Sequence, residues 1–370
     1  MMCVIIGSGV QGLSTGILLE YLGHDTKILT KNIPYIDGAD TPTVATDYAA
    51  ASIFPVKIAA EYTRDELIRN AERTFEPFFD TTGVPVRKQT HYYLYEDAEG
   101  ITLPDRMDIT HVNDYDGDIP SRSEYEVRDG YVCNEYFVEM PEYVPLLCET
   151  YRNLGGTIQQ KHVTKTDVEQ FNDEGVVFNC SGYGSKTLFD DDSMKAIKGH
   201  ILETDCSDDI ETPLSFAYTY VPSTYGHYTY MYPRRDSVIF GGSYLEGDIV
   251  DGEWVGETPE KPTEVDGDVI PERLRDVNQD IMPAFADITV DDLSVKHGYR
   301  PYREDGMRVE QDENGIIHNY GHGGSGVSMS WWSAIQSINY IDTLSESVLK
   351  SIASQIARTN VITEKTTVTQ

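Results

Sequence analysis

The run Cys3-Val4-Ile5-Ile6 passes directly into Gly7-Ser8-Gly9-Val10-Gln11-Gly12, and this junction constrains the fold more than any other stretch. Apolar residues then recur at Val10, Leu13, Ile17, Leu18 and Leu22, the spacing of an amphipathic helix. A strand, a G-x-G-x-x-G turn and a helix in that order open a dinucleotide-binding βαβ unit. Gly7 allows the tight turn, Gly9 lets a pyrophosphate approach the backbone, and Gly12 lets the helix lie close to the strand. The helix N-terminus offers unbonded N–H groups and a partial positive charge to phosphates. Gly7, Ser8, Gly9, Val10, Gln11 and Gly12 are therefore the first candidate cofactor contacts.

This turn leaves the dinucleotide open. The second strand is expected over Asp25 to Thr30, and Lys31 follows it where an NAD site carries an acid for the ribose. Lys31 suits a 2′-phosphate, hence NADP; equally, the ribose is held by Thr30, Asn32 or backbone. The other end of the chain narrows the choice. Ile316 to Tyr320 reads as a strand, Gly321-His322-Gly323-Gly324-Ser325-Gly326 follows, and Val327 to Leu344 has largely helical spacing. A nicotinamide dehydrogenase needs no second glycine-rich helix start there, whereas a flavin enzyme does. The isoalloxazine gains negative charge at N1–C2=O on reduction, which a helix N-terminus stabilises. Bare glycines also let a backbone carbonyl approach a substrate.

The chain has 62 acidic and 29 basic residues, a net charge of −33. Such a field repels nucleic acid and anionic membranes. The acids are spread, as in Asp114 to Asp118 and Asp248 to Glu253, so a solvated acidic surface is expected, and a high-salt cytoplasm would screen its self-repulsion. With no apolar run of membrane-spanning length, no transmembrane helix is expected. With the glycine-turn strand opening the sequence, no signal peptide is expected. The 5 cysteines form no C-x-x-C pair and read as buried free thiols in a reducing cytoplasm. His318 and His322 are separated by Gly321, which argues against a helical metal pair, and no metal site is expected.

Helices are expected at Arg64 to Asp80 and Tyr143 to Leu154, and strands at Thr157 to Val163 and Gly175 to Cys180. Aromatic, β-rich stretches lie between them: Gln89 to Tyr95, Ile201 to Thr204, Ser215 to Pro222, His227 to Pro233 and Ser237 to Gly242. The pattern predicts an α/β protein, with a discontinuous Rossmann-like FAD-binding domain (1–75, 143–196, 295–350). A β-rich antiparallel substrate domain (76–142, 197–294) interrupts it.

Taken in order, several motifs resemble those of the D-amino-acid oxidase family of flavoproteins. They are Val4 to Thr15; Thr46-Asp47-Tyr48-Ala49-Ala50; Val177-Phe178-Asn179-Cys180-Ser181-Gly182; Tyr230-Met231-Tyr232-Pro233-Arg234; Gly241-Gly242-Ser243-Tyr244; Gly298-Tyr299-Arg300-Pro301; and His318 to Gly326. The resemblance implies non-covalent FAD and oxidation of a D-amino acid by O2 to an imino acid and hydrogen peroxide. The imine then hydrolyses to a keto acid and ammonia. It implies that Arg300 pairs with the substrate carboxylate, that Tyr230 and Tyr244 touch it, and that the Gly324 carbonyl accepts from the substrate amine. It extends the cofactor contacts to Thr46, Asp47, Ala49, Ala50, Val163, Ser181, Gly182, Gly323, Gly324, Gly326, Val327 and Ser328, the last meeting flavin O2; Lys31, a further candidate contact by position, departs from the family's acidic residue there.

A neutral amine passing its α-hydrogen to flavin N5 as hydride needs orientation rather than a general base. A guanidinium grips a carboxylate with two parallel hydrogen bonds, which suits Arg300; its alternative is a surface ion pair. The alternative for Tyr230 and Tyr244 is packing in a Tyr-rich sheet, and His322 is expected to be structural. Tyr244 occupies a place where relatives preferring acidic substrates carry an arginine, so neutral substrates are expected. Arg234 and Arg235 are expected in a hairpin turn, pointing to solvent. Three other readings share many of the motifs: a glycine- or imino-acid oxidase, a dehydrogenase that avoids oxygen, and a non-catalytic NADP- or FAD-binding protein. The expected partners are a small D-amino acid and O2, with homodimerisation left open.

Overall fold

The computed structural model describes residues 1–34, 44–97, 100–106, 108–205, 215–224, 228–250, 253–256 and 270–368. In chain order its elements begin with β1 (Met2–Ile6), α1 (Val10–Tyr21), β2 (Asp25–Thr30), α2 (Arg64–Phe79), β3 (Val86–Tyr95), β4 (Thr110–His111), β5 (Asp129–Val138) and α3 (Met140–Leu154). Then come β6 (Thr157–Gln160), α4 (Lys165–Glu174), β7 (Val176–Asn179), α5 (Ser185–Leu188), β8 (Met194–Asp205), β9 (Phe216–Val221), β10 (Thr229–Pro233) and β11 (Ser237–Gly241). The last are β12 (Leu245–Val250), β13 (Glu253–Gly256), α6 (Ile270–Ile281), β14 (Ser294–Arg303), β15 (Arg308–Gln311), β16 (Ile317–Tyr320), α7 (Gly326–Ile338) and α8 (Leu349–Val368).

Two compact units result: residues 1–87, 138–196 and 300–370, and residues 88–137 and 197–299. The first crossing lies at 87/88 rather than the expected 75/76, because α2 runs on to Phe79 and buries Phe75 and Phe78 in the first unit. The return lies at 137/138 rather than 142/143, and the last crossing at 299/300 rather than 294/295. The first unit also continues past 350 through α8, whose Ile352 and Ile356 are buried.

The first unit holds a six-stranded sheet ordered β15-β16-β7-β1-β2-β6. β1 is central, parallel to β2 on one side and β7 on the other. Cys3 to Ile6 are all buried, as a strand covered on both faces requires. α1 packs against α7 and α3, and Gly16 leaves the room that the Tyr151 ring takes. Val4, Ile6 and Leu29 instead pack with Val168 and Phe171 of α4. α7 ends at Ile338, short of the expected Leu344, with Asn339 capping it and the Asn339 side chain accepting from Leu344 N–H. At its heart the Trp331 indole N–H donates to Tyr143 Oη at 2.7 Å.

The second unit is built on a sheet ordered β13-β12-β8-β11-β10-β9-β3-β5-β4, with β14 on β8. One face is apolar: Tyr92, Leu94, Tyr218, Met231 and Phe240 pack with Leu274, Val277 and Ile281 of α6. Asn278 of α6 locks onto it, accepting from Tyr218 Oη at 2.6 Å and donating to Thr229 Oγ1 at 3.1 Å. β3 and β9 run parallel, which their wide separation in sequence permits and a hairpin would not. Among the described residues no helix is long and apolar enough to cross a membrane.

Candidate active site

In a chain so rich in acids, the first turn of α1 contains none, and Gly9 caps it without a side chain. The N–H of Val10 meets Thr46 Oγ1 at 3.3 Å, so the 45–48 turn lies over the helix start. Asp47, Ala49 and Ala50 lie in or just after that turn. A side chain at Gly12 would collide with the Gly7 carbonyl, and one at Gly7 with the Cys180 carbonyl. Ser8 is buried, and its hydroxyl donates to Thr30 Oγ1 and the Asn32 carbonyl, each at 3.0 Å. Thr30 Oγ1 donates to the same carbonyl at 2.7 Å. The end of β2 is thus pinned by hydroxyls, while Lys31 is exposed and its carbonyl accepts from Gln160 Nε2. Val163 lies beyond the end of β6, buried with Val4, Ile6 and Leu29.

The turn after β7 is organised by Asn179, whose Oδ1 accepts from Ser181 N–H at 3.2 Å and Ser181 Oγ at 2.7 Å. Gly182 follows, and a Cβ there would lie 3.7 Å from Pro301.

The glycine-rich turn before α7 is gripped differently. Gly323 has φ +55°, and a side chain on it would strike the Lys57 carbonyl, so only glycine serves there. Ser325 Oγ donates to the Val56 carbonyl at 2.7 Å and accepts from Val56 N–H at 2.8 Å. Gly324 N–H donates to the Lys57 carbonyl. A Cβ on Gly324 would lie 3.8 Å from Arg300 Cδ. The structure therefore places Arg300 beside Gly324, while Pro301 adjoins Gly182. α7 also starts without an acid or a side-chain cap. Gln11 Nε2 donates to the Gly326 carbonyl at 2.7 Å and ties the two glycine-rich turns together. Val327 is buried in the first turn of α7. The Ser328 hydroxyl donates to the Ser52 carbonyl at 3.2 Å, holding the loop at the helix start.

His322 is buried, and its Nε2 has no partner among the described residues. Burial pushes its imidazole down to about 4, so it is neutral at pH 7. His318 is held by Asn179 Nδ2 and Asp312 in a buried hydrogen-bonded group. Among the described residues no His/Cys/Asp/Glu cluster could hold a metal ion. Cys3, Cys133, Cys148 and Cys180 are buried and free; Cys206 lies outside the described residues.

In the second unit Tyr230 is buried on β10, stacked on Tyr232 with ring centroids 4.4 Å apart. Its ring covers Gly241, where any side chain would displace it. Tyr244 lies in the β11–β12 connection and is half-buried. Arg235 is exposed, as expected of a hairpin turn. Arg234 is not: it is buried and paired with Glu203 of β8 at 2.9 Å. The sequence shows both charges but not that the hairpin folds back onto β8.

Sequence reasoning missed Asn179, Ser325, Val56 and Lys57 as organisers of these turns. Val56 and Lys57 sit in an irregular segment with no periodic signal. Ser325 lay within the motif, where the glycines drew the reading. The arrangement fits a flavin dinucleotide. Two uncapped helix starts without acids are tied together, and glycines keep the backbone bare where side chains would intrude.

Comparison with known proteins agrees. Residues 2–336 match the DAO family, FAD dependent oxidoreductases. A D-amino-acid oxidase of Dictyostelium discoideum is 28% identical, covering 92% of this chain and 91% of its own. One of Rubrobacter xylanophilus is also 28% identical, over 90% and 93%. The solved glycine oxidase of Geobacillus kaustophilus superposes with a TM-score of 0.63 at 14% identity, covering 90% of this chain and 92% of its own. The chain belongs to the DAO family of FAD dependent oxidoreductases, and FAD is its cofactor.

Proposed function

We propose that the protein oxidises neutral D-amino acids to imino acids, with O2 as electron acceptor and hydrogen peroxide as the second product. The observation that carries this reading is Arg300 beside Gly324 at the uncapped start of α7. A guanidinium there orients a carboxylate through two parallel hydrogen bonds, and the neighbouring carbonyl accepts from the amine. Bound FAD supplies the hydride acceptor. Arg300 and the Gly324 carbonyl fix which α-hydrogen is presented, and a proximity effect replaces general-base chemistry. The helix N-terminus favours negative charge beside it. Tyr230 and Tyr244 are proposed as further carboxylate contacts.

The absorption spectrum of the purified protein, recorded anaerobically before and after a D-amino acid, tests the reading. Bleaching of the flavin bands by D-alanine and not by L-alanine supports it. Recovery of NADP and no flavin from folded protein overturns it. Arg300→Ala should retain FAD and lose about thirtyfold to several thousandfold in kcat/KM, the roughly 2–5 kcal/mol of a broken desolvated charge pair. Near-normal kinetics would return Arg300 to a surface ion pair. Arg234 is neutralised by Glu203, and Tyr244 carries no charge. D-Alanine or a larger neutral D-amino acid should therefore exceed D-aspartate in kcat/KM, since a second desolvated carboxylate lacks a partner. Faster oxidation of D-aspartate overturns the neutral preference; oxidation of glycine in preference to every D-amino acid assigns the glycine-oxidase reading.

A further inference from the structure

The two faces of the second unit's sheet differ in kind. On β3, Tyr92 and Leu94 point into the apolar cluster under α6, while His91 and Tyr93 point the other way into a buried polar group. His91 and Glu135 are fully buried there, with Nδ1 and Oε2 2.8 Å apart. Glu135 also accepts from Tyr93 Oη at 2.9 Å and from Cys133 Sγ at 3.5 Å, and Arg106 Nη1 lies 4.0 Å away. His91 Nε2 lies 3.0 Å from Thr219 Oγ1, and Thr219 is hydrogen-bonded to the Tyr232 hydroxyl. The Tyr232 ring in turn stands edge-on to His91 at 5.5 Å and lies flat against Tyr230 at 4.4 Å.

The register explains why these residues meet. Thr219 lies opposite Tyr93 on one side and opposite Tyr230 on the other, so one face of β3, β9 and β10 carries His91, Tyr93, Thr219, Tyr230 and Tyr232, and β5 adds Glu135. One consistent set of donors runs along the row. Tyr232 Oη donates to Thr219, the Thr219 hydroxyl to His91 Nε2, and His91 Nδ1–H to the Glu135 carboxylate. Burial pushes the phenols of Tyr93 and Tyr232 well up, so both remain protonated donors.

A buried His–carboxylate pair is a poor way to gain stability, because desolvation offsets much of the attraction. An apolar pair of similar volume would serve packing as well, as it does on the opposite face. What a directional hydrogen-bonded row adds is a fixed orientation at its far end. That end is Tyr232, the plate on which Tyr230 rests.

We propose that His91, anchored by Glu135 and acting through Thr219, is a positioning residue that fixes Tyr232 and thereby the Tyr230 hydroxyl for the substrate carboxylate. The inference rests on the reading of Tyr230 as a substrate contact. Its cost, when broken, falls on substrate binding rather than on the chemical step.

The test is a double-mutant cycle on FAD-loaded protein with its best D-amino acid substrate. Thr219→Val is nearly isosteric and breaks the row without emptying the core. It should raise KM about fivefold to tenfold with kcat changed less than about twofold, the signature of lost uniform binding. Thr219→Ser, which keeps the hydroxyl, should restore KM. In a Tyr230→Phe background, Thr219→Val should add less than about twofold, because both changes remove one interaction. His91→Gln, which loses the Glu135 bond, should behave as Thr219→Val. If Tyr230→Phe raises KM and Thr219→Val does not, the row is merely structural and the inference fails alone. Additive effects in the cycle overturn it in the same way. If Tyr230→Phe leaves KM unchanged, the substrate reading of Tyr230 fails and takes the inference with it.

Discussion

At the start of α1, backbone is clamped by backbone: Gly12 sits on the Gly7 carbonyl and Gly7 on the Cys180 carbonyl. At the start of α7, the clamp is a loop and side chains: Ser325 on Val56, Gly324 and Gly323 against Lys57, with Tyr320 just before the turn bonded to Asp191. Both helices start uncapped and without acids. The first turn is therefore set once the sheet forms. The second depends on a non-periodic segment and on groups that titrate. One turn is shaped chiefly by backbone packing and the other by a loop and side chains, with Arg300 beside it.

Mutation of each clamp sharpens this contrast. Gly12→Ala should be the most damaging, because its Cβ meets a backbone oxygen that cannot swing aside. Overpacking of that kind typically costs about 1–3 kcal/mol, and more where the neighbour cannot move, so the protein should lose FAD and melt at lower temperature. A yellow Gly12→Ala protein with native Tm would show that α1 shifts freely on β1. Ser325→Ala should cost less, about 1–3 kcal/mol for the unpaired Val56 groups. It should weaken FAD retention and lower Tm by a few degrees, while the first turn's amides keep their hydrogen-exchange protection. Equal loss of protection in both turns would mean that they form one rigid body and the contrast is void.

Acid should act on the second turn first, and more gently. Neutral His322 has its pKa depressed from 6.5 to about 4. Between those values the unfolded chain binds the extra proton, so stability falls as pH drops from 6.5 through 4. Asp191 continues the loss at lower pH. Burial raises its pKa, but hydrogen bonds from Ser193, Tyr320 and Arg303 outweigh that and hold it at about 2, against 3.8 unperturbed. Its contribution is present above pH 3.8 and lost as pH falls toward 2. Thermal unfolding from pH 7 downward, with Asp191→Asn for comparison, should show the variant losing the lower part of this slope. An unchanged profile below pH 4 would remove Asp191 from the account.

Much of the first unit is readable from the chain because its signals are contiguous. β1, the first turn and α1 occupy one stretch, as do β16, the second turn and α7, and a glycine's task is written in its immediate neighbours. The second unit's polar row is not readable this way. His91, Glu135, Thr219 and Tyr232 come from four strands, and only the register makes them a set. Arg234 was misjudged for the same reason, its partner Glu203 lying on another strand. α6 is a different failure: Ile270, Leu274, Val277 and Ile281 have plain helical spacing, but it follows an acidic stretch that drew the eye to charge. α8 is a failure of the same kind: Leu349, Ile352, Ala353 and Ile356, all buried, also have plain helical spacing.

The hydrogen bond from Gln11 to Gly326 joins residues 315 apart in sequence. During synthesis at about 5–20 residues per second, Gln11 leaves the ribosome roughly 15 to 60 s before its partner. β1 likewise waits for β7, more than 160 residues downstream by their paired register from Cys3↔Val176. The nascent chain thus displays an apolar strand and an open phosphate-binding turn long before either can close. Capture of FAD by both turns together waits until Gly326 has been made.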